Sequence, residues 1–235
     1  CTSHVEIPIE TPIRPKLDVS AFQRVLVVGF IAGGTDDVDG NLETTRLLRS
    51  QLRTKSEMRV IDTDVLPLMD AAADSQGTEK AIETTPQGTP VPIKDDKDLE
   101  PYEHLFADVA YWKKIGEEYQ QPLIVTGTVM FAPQQRAGIV QRDQEVYDSL
   151  GRRRVVPVRT YMERKGFVLK PRFIFIDGRT GAVLHSENFR EEILYNANQT
   201  TPALSSYFEL MDRLIPSFLS TLSSQKIKGT RVLLQ

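Results

Sequence analysis

Beyond its first residue the chain contains no cysteine, so no internal disulfide can form and no thiolate metal site can be assembled. Histidine is nearly as scarce. His4, His104 and His185 fall on an N-terminal Pro-rich stretch, a helix start and a strand end, with no spacing that suits zinc. Long apolar runs are missing as well: no stretch of about 18 apolar residues occurs, so no membrane-spanning helix is expected. A net charge of -3 and a pI near 5.7 argue against a general nucleic-acid binder, whose footprint is a strongly basic face. The signatures of common site chemistry are absent too. Gly29 to Thr35 follows an apolar run and precedes a helix pattern, where phosphate loops sit. It has neither a Gly-Lys-Ser/Thr ending nor Gly-x-Gly-x-x-Gly spacing, and it reads as a flexible strand-to-helix turn. Asp37, Asp39 and Asn41 open like a calcium loop, but its twelfth position is Leu48 rather than glutamate, so a capped helix start is expected. No serine lies in a Gly-x-Ser-x-Gly turn. The expectation is therefore no catalytic residue, no metal and no cofactor.

What is present begins with Cys1 itself. It is followed by Thr2, Ser3 and a segment alternating Pro8, Pro12 and Pro15 with Ile7, Ile9 and Ile13, which favours extended chain and denies it a helix. A lone leading cysteine before such a spacer resembles a bacterial lipoprotein after maturation, in which the thiol carries the lipid. The competing reading is a chain boundary that falls on cysteine by chance. On the first reading, residues 1–20 are a lipid-tethered spacer and 21–235 a single α/β domain.

Within that domain, Val25 to Phe30 is a continuous apolar run of strand length, the pattern of a strand buried on both faces. Leu42, Thr45, Leu48 and Leu52 then mark a helix stripe, and Met58 to Ile61 a second strand. Residues 70–101 are polar and Pro-rich without periodicity, which predicts a long loop insertion. Leu105, Val109, Trp112, Gly116 and Tyr119 step by three and four as an amphipathic helix, stopped by Pro122 before a strand from Leu123 to Phe131. Phe167 to Ile176, a turn at Asp177 to Gly181, and Ala182 to Phe189 form a strand pair. Leu204, Phe208, Met211, Ile215, Leu219 and Leu222 predict a last helix, and Arg231 to Leu234 an edge strand. Val25, Val27, Ile124, Val125, Phe173, Phe175 and Trp112 are expected in one core. Residues 132–166 predict a projecting β-hairpin around Ser149, Leu150, Gly151 and Arg152, with arms polar on both faces. The expected fold class is α/β: a mixed sheet with helices packed on it, plus that hairpin.

Four segments taken together resemble one family: RVLVVGF at Arg24 to Phe30, RVID at Arg59 to Asp62, PLIVTGTV at Pro122 to Val129, and PRFIFIDGRTGAVLHS at Pro171 to Ser186. They are similar in order to periplasmic lipoproteins of the curli-secretion-channel superfamily. Related folds are the N-terminal domain of the Tol β-propeller protein and lipoprotein activators of penicillin-binding proteins. Residues 132–166 lack the one-sided apolar alternation of a membrane strand, so the resemblance implies a non-pore relative. It implies a lipid-anchored protein on the periplasmic face of the outer membrane, a destination favoured by Thr2. Such a protein would bind other envelope proteins, and a homo-oligomer is compatible with the resemblance. The expected contact residues are Tyr147, Arg152, Arg153, Arg154 and Tyr161, since Arg and Tyr are enriched at interfaces. The alternative is a small-molecule or glycan-processing enzyme using carboxylates of the Asp36 to Asp39 loop with Glu191 or Glu192.

Overall fold

The computed structural model describes residues 4–75, 92–147, 149–196, 199 and 201–234. In chain order its strands are His4–Ile13 (β1), Arg24–Val27 (β2), Ile31–Gly34 (β3), Arg59–Val60 (β4), Leu123–Tyr147 (β5), Arg153–Asp177 (β6), Val183–Asn188 (β7), Glu191–Asn196 (β8) and Gln225–Leu234 (β9). Its helices are Gly40–Lys55 (α1), Leu68–Ser75 (α2), Glu103–Ala107 (α3), Val109–Glu118 (α4) and Ala203–Leu222 (α5), with a 3-10 segment at Asp96–Tyr102. The expected class is the one observed, a mixed sheet with helices and a long hairpin.

The sheet runs β4-β2-β5-β6-β7, with β3 added beside β5 and β8 beside β6. β2, β4, β3 and the first part of β5 are parallel, whereas β5, β6, β7 and β8 pair antiparallel. Because β2 is covered by helices on both sides, Val25, Leu26 and Val27 are all buried, which explains why the run is continuous rather than alternating. Alternation instead sorts the core into two halves. Val25, Val27, Val125, Phe173 and Phe175 face α1 and α5, while Leu26, Ile124 and Ile174 face α3 and α4 and cluster with Trp112 of α4. The single core expected from sequence is thus two, separated by the sheet.

Helix α1 starts where the Asp39 side chain accepts from the Leu42 amide at 2.9 Å, which satisfies one orphan donor. Glu43 in its first turn and Arg53 and Lys55 in its last complement the helix dipole. Helix α5 buries Tyr207, Leu210, Met211, Leu214, Ile215, Phe218, Leu219 and Leu222 at helical spacing, and its interior Pro216 lies on the exposed side. The helix expected over 105–119 is two, broken at Asp108, whose side chain caps α4 through the Tyr111 amide at 3.0 Å. Trp112, fully buried, donates its indole N–H to the Leu105 carbonyl at 2.7 Å and ties the two pieces together.

Two local readings are corrected. Gly33 and Gly34 are not a turn: the strand resumes as β3 after an irregular step at Val28–Phe30, with the Phe30 amide donating to the Asn41 side chain at 2.7 Å. Gly33 is needed because a Cβ there would meet Ile93 at 2.4 Å. Part of the 70–101 insertion is also ordered: α2 runs to Ser75 and the 3-10 segment begins at Asp96, while 76–91 lie outside the described residues. Cys1 lies outside them too. The Pro-alternating N-terminal segment is extended, but it is half of a ladder. β1 pairs antiparallel with β9 in a separate two-stranded sheet, from His4↔Leu234 to Ile13↔Gln225.

After β1 the chain is pinned to the body by the Leu17 amide donating to Thr221 at 3.0 Å and by Lys16 bonding Glu187. Burial disfavours ionisation of Glu187, but donors from Lys16, His185 and Thr221 outweigh it, and the carboxyl sits below the usual range. A depressed folded value means that this contribution is complete above the ordinary carboxylate range and lost as pH falls through the folded value. Between about pH 6 and about pH 3, the melting temperature of Glu187→Gln is therefore expected to fall less than that of the unaltered protein. Equal acid slopes in thermal melts would remove Glu187 as a source of acid sensitivity.

Candidate functional site

The hairpin is not an appendage to the sheet. It is the outward run of its two central strands, each 25 residues long, held in one unbroken register from Leu123↔Asp177 to Tyr147↔Arg153. Gly151 closes the connection at φ +74, a conformation that costs glycine least. β3 covers the outer edge of β5 only as far as Phe131, and β8 covers β6 only over Arg164–Leu169. Among the described residues, nothing pairs with either arm beyond those points, so both edges are open there. At about 3.3 Å per residue the uncovered arms reach roughly 40 to 50 Å.

Register assigns every side chain a face. Odd-numbered positions continue the α1 and α5 side of the sheet; even-numbered positions continue the α3 and α4 side. The odd face carries the directly opposed pair Ile139 and Tyr161, 72% and 69% exposed, and near the tip Tyr147, 70% exposed, opposite Arg153. Its charges neutralise one another locally, with Arg153 to Glu145 at 3.3 Å and Lys165 to Glu163 at 3.6 Å. Arg154 lies on the even face opposite Val146, because one residue along a strand reverses the side. The arginine triplet is thereby split: Arg152 in the connection, Arg153 on the tyrosine face, Arg154 behind it. The two tyrosines are not one patch. Tyr161 pairs with Ile139, eight residues along β5 from Tyr147, a separation of roughly 26 Å.

The expected description of both faces as polar is also revised. The return arm contributes Val156, Val158 and Met162 to the even face, beside Val140 and Val146 of the first arm. The odd face likewise carries Ile139 and Val155, so it is not wholly polar either. Pairing residues that sum to a constant number around the Ser149 to Arg152 turn would have found them.

The carboxylates of the alternative reading are not brought together. Asp39 caps α1, Asp37 accepts from Thr35 at 2.9 Å, and both lie beyond β3. A cleft of about 470 Å³ opens there, lined in part by Asp36, Asp39, Met69 and Ile93. Glu191 and Glu192 belong to β8, across β5 and β6, a span of roughly 14 Å. Glu192 is engaged by Arg136 at 2.9 Å and Arg190 at 3.4 Å. His104 sits between the carbonyls of Pro101, at 2.7 Å, and Ala72, at 3.0 Å; His185 approaches Glu187 at 3.4 Å. Among the described residues no group of three or more His, Cys, Asp or Glu could hold a metal ion, and no helix is long and apolar enough to cross a membrane.

Fold and site thus define a layered α/β protein whose central strand pair extends into a long exposed arm. No family model matches the chain, and no curated protein matches it. Among solved structures it is similar to lipoprotein GNA1162 from Neisseria meningitidis, at 11% identity and a TM-score of 0.37, over 83% of this chain and 97% of that one. At that level no role passes from one protein to the other.

Proposed function

We propose that this chain is an outer-membrane-tethered periplasmic lipoprotein, a non-pore relative within the curli-secretion-channel superfamily. On this reading it is a non-enzymatic accessory or assembly factor that uses its hairpin to hold another envelope protein. The single observation that carries the reading is the arm itself: an unbroken ladder with edges left open by the described residues, with Ile139, Tyr147 and Tyr161 exposed and no residue of 135–147 or 153–165 fully buried. Exposed edges and aromatic side chains on a rigid extended arm suit strand addition or an embrace, and neither needs a catalytic group. On this reading the lipid would sit on Cys1, the one cysteine of the sequence.

The test is photo-crosslinking in the envelope from a reactive side chain placed at Tyr161, compared with one placed at Val183 on β7. A discrete protein adduct is expected from position 161. It should disappear when residues 136–162 are replaced by a short Gly-Ser turn, with the melting temperature moved by no more than about 3 °C, since the arm contributes little to the core. Adducts from position 183 that survive the replacement would move the contact to the sheet edge. Cys1→Ala should shift the protein to the soluble periplasmic fraction, and an unmodified thiol in the intact mass of membrane-extracted protein would remove the tether.

A further inference from the structure

The two faces of the arm differ in charge as well as in shape. Within residues 132–166 eight Lys and Arg stand against four Asp and Glu, on a chain that carries 29 against 32 overall, so a basic arm projects from an acidic body. Register then concentrates that excess on one side. Over the ladder from Gln134 to Tyr147 and back from Arg153 to Gly166, the odd face has three acids and three bases, whereas the even face has four arginines and no acid. Between those arginines lie Val156, Val158 and Met162, half-buried or exposed.

The body shows how the same face is covered where it is covered. Moving inward along β6, the next cations on the even face are Lys170 and Arg172. Lys170 meets Asp96 at 2.5 Å and Arg172 grips both oxygens of Glu103 at 2.6 and 2.7 Å. Both carboxylates belong to the segment from Asp95 to Glu103, which has five Asp or Glu in nine residues and buries Leu99 and Tyr102 beneath itself. An acidic stretch with apolar anchors is thus the intramolecular cover of this face. Farther out, Arg136 is met by Glu192 and stands directly opposite Arg164, and beyond that pair the pattern of arginine and aliphatic side chains continues through Arg142, with no acidic segment of the described residues laid over it. Arg142 directs a guanidinium nitrogen at the Met162 sulfur, 3.6 Å away, which leaves its charge uncompensated by that contact.

We propose that the even-numbered face of the arm docks an acidic polypeptide segment of a partner protein, with carboxylates on Arg142 and Arg164 and apolar side chains over Val156, Val158 and Met162, repeating the way Asp95–Glu103 covers the base. The inference rests on the docking-arm reading and names the chemistry of its partner. Charge complementarity steers such a segment to this face and disfavours a basic one. A lipid surface fits less well: interfacial elements place Trp, Phe or Leu on the buried side, whereas this face has Val and Met, and the tyrosines are on the other.

The experiment uses the full chain and a fluorescent peptide of about 12 residues repeating Glu-Ser-Val-Ser, so that an extended chain, in which every second residue shares a face, presents acids and aliphatics on the same side. Binding is read by anisotropy at low and high salt. Arg142→Gln with Arg164→Gln is compared with Arg159→Gln with Lys165→Gln, which removes the same charge from the odd face. Salt-sensitive binding is expected, weakened about tenfold or more by the even-face pair and less than about twofold by the odd-face pair, as loss of charge-assisted hydrogen bonds implies. Equal losses would reduce the effect to net charge and overturn the assignment, as would no peptide binding at low salt. Binding to vesicles containing phosphatidylglycerol without binding to the peptide would make the face a lipid surface instead. Self-association abolished by the even-face pair, again without peptide binding, would make the occupant a second copy. Should replacement of residues 136–162 abolish the envelope adduct while Arg142→Gln with Arg164→Gln preserves it, the docking arm stands and this inference falls. Should the replacement preserve the adduct, the docking arm itself falls.

Discussion

Replacing Phe173 by alanine is expected to lower the unfolding free energy by about 3–5 kcal/mol, a large part of what a domain of this size has. Its ring is 1% exposed and lies 4.9 Å from Phe218 of α5, 5.5 Å from Phe189 and 5.9 Å from Phe30, so truncation empties a space bounded by three separate parts of the chain. Phe30 lies between β2 and β3, Phe189 between β7 and β8 and Phe218 on α5, so filling the void would require the backbone to move in separate parts of the chain. Denaturant titration measures the loss. A change below about 1 kcal/mol would mean that this half of the core is plastic rather than close-packed.

A comparable loss is expected from a smaller change, Gly127→Ala, for a different reason. Gly127 sits in β5 at φ +142, and a Cβ built there would stand 1.8 Å from the carbonyl oxygen of Arg172 on β6. The methyl group meets both an unfavourable backbone conformation and a neighbouring strand that cannot retreat, because its pairing continues unbroken in both directions. We expect about 3 kcal/mol or more of destabilisation, with the hairpin register disturbed near its root. Unchanged melting, together with unchanged amide exchange protection at Thr126 and Ile174, would show that the strand absorbs the strain.

Comparing these positions with the sequence shows what a one-dimensional reading reaches. Helices α1 and α5 were legible because their apolar stripes recur at three and four and Asp39 stands where a cap is needed. The buried strands were legible because Val25 to Val27 and Leu123 to Val125 are too short and too branched for helices. β3 was hidden, since Gly33 and Gly34 carry a turn's composition while their role is to let Ile93 and Phe131 approach the backbone. β1 and β9 pair across the whole chain, a contact that no local pattern encodes. The arm's existence was visible in its turn and its β-branched residues. Its two-faced character was not, because the face of each residue follows from a register summed over both arms, which neither arm's own pattern contains.

The unbroken ladder also has a bearing on how force and orientation travel through the molecule. Most binding loops are joined to their scaffold by a joint that must be frozen when a partner arrives, and that freezing weakens the complex. Here the strands that would touch a partner at Tyr161 are the strands that carry Phe173 and Ile124 in the interior, with no hinge between. Such an arm behaves as a lever. A tug or twist at its far end would be borne by the middle of the sheet, and a molecule bound there would be presented at a fixed angle to the body.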